Sequence, residues 1–199
     1  MIEYIAGTLT ILTPTYAVVE AAGIGYRLDI SLTTFTELEK NGTGTATRLL
    51  VHEIIREDTH DLFGFTEESE RTLFRSLVSV SGVGANTARM ILSSASPAEL
   101  GQIISTGDTR RLKAVKGVGV KTAERIIVDL RDKIQIDITA ANAPAGSASV
   151  ASENHDEALA ALVMLGFPRA QSVKALKKIY DADPLANVET AIKRALSMM

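Results

Sequence analysis

The sequence predicts a multidomain α+β protein: an OB-like β-barrel, a helical domain built on a duplicated hairpin, and a small three-helix unit reached through a linker. Three observations carry that assignment. The first 65 residues break into short runs rich in Ile, Val, Thr and Tyr. A thirteen-residue phrase then occurs twice, 35 positions apart, each time between apolar helical patterns. Lastly, a stretch of Ala, Ser, Asn, Gly and Pro separates that region from a terminal block with helical periodicity.

Residues 1–65 predict five strands, Ile2–Leu12, Tyr16–Ala22, Gly25–Ile30, Arg48–Ile55 and Asp61–Phe65. Pro14, Gly23-Ile24-Gly25 and Asn41-Gly42-Thr43-Gly44 punctuate them, and one short helix is expected around Thr33–Lys40. Five strands with a single helical connection suit a small Greek-key barrel of the OB type. Residues 66–136 read as helical. Glu67–Val80 places Leu73, Phe74, Leu77 and Val78 at helical spacing; Pro97 opens Ala98–Ile104; Asp108 is a cap for Thr109–Val115; Lys121–Ile134 sets Ala123, Ile126, Ile127 and Leu130 on one stripe. Residues 137–152 lose charge and apolar bulk together, the composition of a flexible linker with a mean reach on the order of 20 Å. Residues 153–199 then predict three helices, Glu157–Leu165, Arg169–Tyr180 and Val188–Met198, joined by Gly166-Phe167-Pro168 and an Asp181–Asn187 turn.

The duplicated phrase runs from Val80 to Leu92 and again from Val115 to Ile127, with seven of thirteen positions identical. Each copy has a Gly-Val-Gly turn that ends one helix and opens another. Glycines let the backbone turn tightly and approach a ligand with no Cβ in the way. The residues after them start a helix whose unpaired N–H groups and positive dipole end suit an anion. Main-chain donors of this kind grip a nucleic-acid backbone without reading its sequence. One Gly-x-Gly before a helix is commonly just a core hairpin, but two adjacent copies point to nucleic-acid binding. The candidate DNA-binding residues are Gly82, Val83, Gly84, Ala85 and Asn86 in the first copy, and Gly117, Val118, Gly119, Val120, Lys121, Thr122 and Arg125 in the second. A nucleotide P-loop does not fit, because Val120 separates Gly119 from Lys121 and the preceding segment reads as helix rather than strand.

Charge follows the same map. The formal net charge is −3, yet residues 1–70 carry 12 acidic and 4 basic side chains, and residues 71–135 carry 11 basic and 5 acidic. A basic segment where the phosphate-gripping turns sit is the electrostatic footprint of a DNA binder. With no cysteine, disulfides and thiolate metal sites are excluded, and His52, His60 and His155 lack ligand spacing. No apolar run approaches a membrane span and no signal peptide is evident, so no membrane partner and a cytoplasmic location are expected.

Beyond the repeats, further stretches resemble the RuvA family of bacterial Holliday-junction-binding subunits. They are Gly23-Ile24-Gly25-Tyr26, Thr33-Thr34-Phe35, Arg56-Glu57-Asp58, Leu62-Phe63-Gly64-Phe65, Glu70-Arg71-Thr72-Leu73-Phe74 and Lys121-Thr122-Ala123-Glu124-Arg125. The likeness spans the whole chain. It implies a tandem helix-hairpin-helix domain behind the barrel and a C-terminal three-helix, UBA-like domain. It also implies a homotetramer, sometimes paired into an octamer, that holds four-way DNA open and square. A hexameric AAA+ ATPase, RuvB, would dock on the C-terminal domain, and a junction resolvase would join the complex. The chain itself would then be no enzyme and need no cofactor, ATP and Mg belonging to the motor. Glu57 and Asp58, in the turn between the last two strands, match the family's acidic pin, whose charges would repel phosphates at the crossover. Leu159, Leu162, Leu165, Phe167, Tyr180 and Leu196 are the candidate motor-binding residues, although most apolar residues of so small a domain must form its core.

The chain departs from the family at Ala85-Asn86, where many relatives have Pro-Lys. The first hairpin therefore lacks the cation that the second keeps as Lys121. Two other functions compete. A helix-hairpin-helix DNA glycosylase with lyase activity would use Lys121 and an aspartate placed like Asp137, but needs a larger scaffold for a flipped base. A plain DNA-tethering module would explain the hairpins but not the barrel, the pin or the docking unit.

Overall fold

The computed structural model of the chain describes residues 1–141, 150–183 and 186–198. They form two compact units, residues 1–139 and 140–199.

In the first unit, strands β1 (Tyr4–Leu12), β2 (Tyr16–Ala21), β3 (Ile24–Asp29), β4 (Ala46–Ile55) and β5 (His60–Phe65) close into a barrel in the order β1-β2-β3-β5-β4. All neighbours are antiparallel except β3 and β5, which meet in parallel at Asp29 and Phe63. Alternation along each strand turns Leu9, Ala17, Val19, Leu28, Leu49 and Val51 into the barrel, all essentially buried. The connecting helix α1 (Leu32–Glu39) starts at Ser31, whose hydroxyl accepts from the Thr34 amide.

Helices α2 (Glu68–Val78), α3 (Ala85–Leu92), α4 (Pro97–Thr106), α5 (Thr109–Lys113) and α6 (Val120–Ala141) follow. The predicted starts are met. Glu67 is the cap residue of α2, Asp108 caps α5 by accepting from the Arg111 amide, and Pro97 stands in the first turn of α4. That turn is held by a reciprocal capping box between Ser96 and Glu99.

The expected boundary between barrel and helical domain at residue 65 is not a break in packing. Phe74 of α2 is fully buried, with its ring centroid 4.9 Å from Phe63 and 5.1 Å from Phe65 of β5. Those phenylalanines share one hydrophobic cluster with Leu77, Ile91, Leu100, Leu112, Ile126 and Leu130 of the helices. Two polar clamps reinforce the junction. Glu70 is buried and accepts from the hydroxyls of Ser31 and Thr34 on α1, the second at 2.8 Å. Arg71, also buried, donates to the Glu3 carbonyl at 2.9 Å and pairs with Glu3 and Glu68. Arg71 therefore does not belong to the basic DNA-facing set that the charge map suggests, because its charge is spent inside the unit.

The linker expectation is corrected at both ends. Helix α6 continues through residues 137–141, and helix α7 (Val150–Met164) already includes residues 150–152. Alanine and Ser are not helix breakers, and Ala has the highest helix propensity, so a loss of charge alone did not end the helix. The remainder of the predicted linker, residues 142–149, lies outside the described residues. The second unit packs α7, α8 (Arg169–Ala182) and α9 (Val188–Leu196) around Leu159, Leu162, Leu176 and Ile179.

Candidate nucleic-acid interface

Both Gly-Val-Gly turns fold alike. Gly82 and Gly117 take φ of 91° and 90°, a left-handed conformation that L side chains resist. The central valines, Val83 and Val118, point inward and are each 6 % exposed, anchoring the turns in the shared core. Their amides close the turns onto the carbonyls of Val80 and Val115, at 3.0 and 3.1 Å. The second glycines, Gly84 and Gly119, stand at the starts of α3 and α6, and a Cβ placed on either would meet nothing within 4 Å. No side chain caps α3. Each loop thus offers backbone with open space before it, the geometry that close approach of a phosphate requires.

The two loops are tied together. The Arg125 guanidinium on α6 donates to the Ser81 carbonyl of the first loop at 3.2 Å. A Cβ on Gly117 would lie 3.8 Å from the Thr87 hydroxyl of α3. Arg125 is exposed, so it can hold the loops in register and still reach solvent. Lys121 is exposed, with no hydrogen-bond or ion-pair partner among the described residues, and Lys113 and Lys116 on the approach to it are exposed as well. Thr122 is half-buried and Val120 is exposed at the helix start.

The first hairpin differs where the sequence departs. Asn86 is exposed, and its side-chain oxygen accepts from Arg89 at 3.3 Å. Arg89 also donates to the barrel carbonyl of Thr15 at 2.8 Å and lies 3.6 Å from the Asp29 carboxylate. These long-range contacts seat the first hairpin on the barrel. Nothing in the local sequence pattern signals them, because Thr15 and Arg89 are 74 positions apart.

Glu57 and Asp58 cap the β4–β5 hairpin, where the Arg56 amide donates to the Thr59 carbonyl at 2.8 Å and closes the turn. The ladder below them is regular from Leu50–Phe65 to Ile55–His60. Residues 55–58 are all exposed, and neither carboxylate has a hydrogen bond or ion pair among the described residues. The tip therefore carries two uncompensated negative charges. At its base His60 lies 3.2 Å from Glu53, whose carboxyl is held below the usual range by the chain amine, His60 and the Ile2 amide, against the opposing effect of desolvation. Arg56 lines a cavity of about 210 Å³ together with Asp29, Asp61 and the start of α3.

In the second unit the candidate anchors divide. Leu159 and Leu162 are buried in the three-helix core, which leaves them little surface to offer a partner. Phe167 and Tyr180 are half-buried against that core, Tyr180 with its ring 5.5 Å from His155. Leu165 and Leu196 remain exposed, at 61 % and 42 %, and Met164 and Met198, which sequence reasoning missed, are exposed too. Among the described residues there is no cluster of potential metal ligands and no helix long and apolar enough to cross a membrane.

Comparison with known proteins matches this arrangement piece by piece. Residues 1–64 match the RuvA N terminal domain, residues 74–132 the SAM-like helix-hairpin-helix tandem, and residues 153–199 the RuvA C-terminal domain. The chain is 48 % identical over 204 residues to a protein of Bacteroides fragilis named Holliday junction branch migration complex subunit RuvA, covering all of both chains. Proteins of the same name from Parabacteroides distasonis and Porphyromonas gingivalis are 50 % and 47 % identical, again over full length.

Proposed function

The chain belongs to the RuvA family, and from that premise we propose that it binds four-way DNA junctions as a subunit of a branch migration complex. The carrying observation is the pair of exposed Gly-Val-Gly loops, locked to each other by Arg125 and sharing a packed unit with two uncompensated carboxylates. In this reading Gly84, Asn86, Gly119, Lys121 and their neighbours hold backbone phosphates. Four copies of the chain surround the crossover, with Glu57 and Asp58 toward the centre. Unit charges ~4–6 Å apart in an intermediate dielectric repel by a few kcal/mol, less at high salt. Grip outside and repulsion inside favour an open, square junction and select DNA by shape, without base contacts.

The chain performs no chemistry in this scheme. A hexameric AAA+ motor, RuvB, supplies ATP hydrolysis and Mg and docks on the terminal unit, where Leu165 and Leu196 are the exposed candidates. A junction resolvase is a further partner, and the cytoplasm the expected compartment. The family assignment supports this over a glycosylase, and Asp137 sits within α6. The test is a mobility-shift assay with junction DNA against equal-length duplex competitor. Binding of the junction should survive the duplex and fall steeply with salt as counterions are released. Equal competition by duplex would refute it.

A further inference from the structure

Arg89 carries the strongest unassigned role. Its guanidinium reaches three groups: the Thr15 carbonyl at 2.8 Å, the Asp29 carboxylate at 3.6 Å and the Asn86 side-chain oxygen at 3.3 Å. An arginine has donors only, so the amide oxygen of Asn86 must be the atom that faces it. With the oxygen engaged by Arg89, the amide nitrogen of this exposed residue is the polar atom left for a ligand. Arg89 itself is only 21 % exposed at its side chain and is paired with Asp29, so it is poorly placed to meet a phosphate directly.

We propose that Arg89 is a positioning residue: it fixes Asn86 with its amide nitrogen outward, making Asn86 a neutral phosphate donor where the second hairpin uses the Lys121 cation. This rests on the junction-binding reading above and deepens it. The consequence is a built-in asymmetry. One hairpin grips by charge and is salt-sensitive, whereas the other grips by an oriented neutral amide and is much less so. Without Arg89 the Asn86 amide loses the partner that pre-orients it, and the phosphate would have to order it on binding.

The test measures junction affinity across a salt series for the full-length chain carrying Asn86→Ala, Arg89→Ala, both together, Arg89→Lys, and Lys121→Ala. Asn86→Ala should weaken binding about tenfold, the scale of one hydrogen bond to a charged group, with the salt slope unchanged. Lys121→Ala should instead lower that slope by about 0.9 per phosphate released. Arg89→Ala should show part of the Asn86→Ala loss, about twofold or more, and add less than about twofold in the double variant, since contacting residues that act as one are non-additive. Arg89→Lys keeps the charge but not the fork that spans two acceptors, so it should behave like Arg89→Ala. Additive losses, a lowered slope on Arg89→Ala, or full affinity in Arg89→Lys would each overturn the proposal. Should Arg89→Ala disturb the hairpin's folding, Asn86→Ala and Arg89→Lys form the same cycle. If Lys121→Ala weakens binding and Asn86→Ala does not, only this proposal falls; if neither matters, the hairpin grip itself is wrong.

Discussion

Two glycines two residues apart in the second hairpin should fail in opposite ways when given a side chain. At Gly119 the backbone is not left-handed and a Cβ would meet nothing within 4 Å, so Gly119→Val adds a branched side chain into open space. Surface changes of this kind move stability by about 0.5 kcal/mol or less. The same branches would stand between a phosphate and the N–H groups at the start of α6. Losing one charge-assisted hydrogen bond costs about 1.5–3 kcal/mol, roughly ten- to a hundredfold in affinity per subunit. Gly117 has φ of 90°, so Gly117→Ala strains the backbone by about 1–2 kcal/mol at least, and here stability should fall. Thermal unfolding and junction titration of both variants give the decisive pair of numbers. Normal junction affinity in a folded Gly119→Val protein would refute the backbone grip, and an unfolded one would refute the geometry of the loop.

Three further outcomes follow from the same structure. Glu57→Gln with Asp58→Asn should leave stability unchanged, since neither carboxylate has a partner among the described residues; mobility-shift titration should show equal or tighter junction binding and a larger gain for plain duplex. A clear loss of junction affinity would instead point to a cation at the tip. A fragment ending at Ala141, which keeps α6 whole, should bind junctions yet fail to support ATP-driven branch migration with the motor, and normal migration would rule out docking through the terminal unit. The third concerns His52, which is held below the usual imidazole range, first by burial against Phe74 and then by Arg75 and Arg71. Its stabilising contribution is complete above the unfolded histidine value of about 6.5 and is lost as pH falls below it toward the depressed folded value. Melting temperature against pH should therefore drop less in His52→Gln than in the parent between about pH 6.5 and 5, and parallel curves would refute the assignment.

Much of the fold was legible because local signals and tertiary packing agree. The runs rich in Ile, Val, Thr and Tyr located the five strands, and the Pro97 and Asp108 signals located α4 and α5 within a few residues. The hairpins announced themselves by repetition. What stayed hidden is long-range. Phe74 looked like one more apolar helix position, yet it joins barrel and helices through two other phenylalanines. Glu70 and Arg71 entered the sequence reading as charges on the helix, and both are buried in clamps to residues 36 to 68 positions away. Composition misplaced the linker ends, because a stretch poor in charge can still be rich in helix formers.

The shared core around Phe74 also decides which side of a complex must deform. Interiors packed at crystalline density yield little, so the spacing between the base of the β4–β5 hairpin and the two glycine turns is held by one core. DNA that does not already match it must bend or unstack, at an elastic cost on the order of 1–6 kcal/mol for a duplex site bent by 40–90°. A four-way junction has its hinge built in at the crossover and escapes most of that cost. In the proposed reading, stiffness in the protein would be converted into discrimination between DNA shapes, and a variant that loosens Phe74 should become less choosy before it becomes weak.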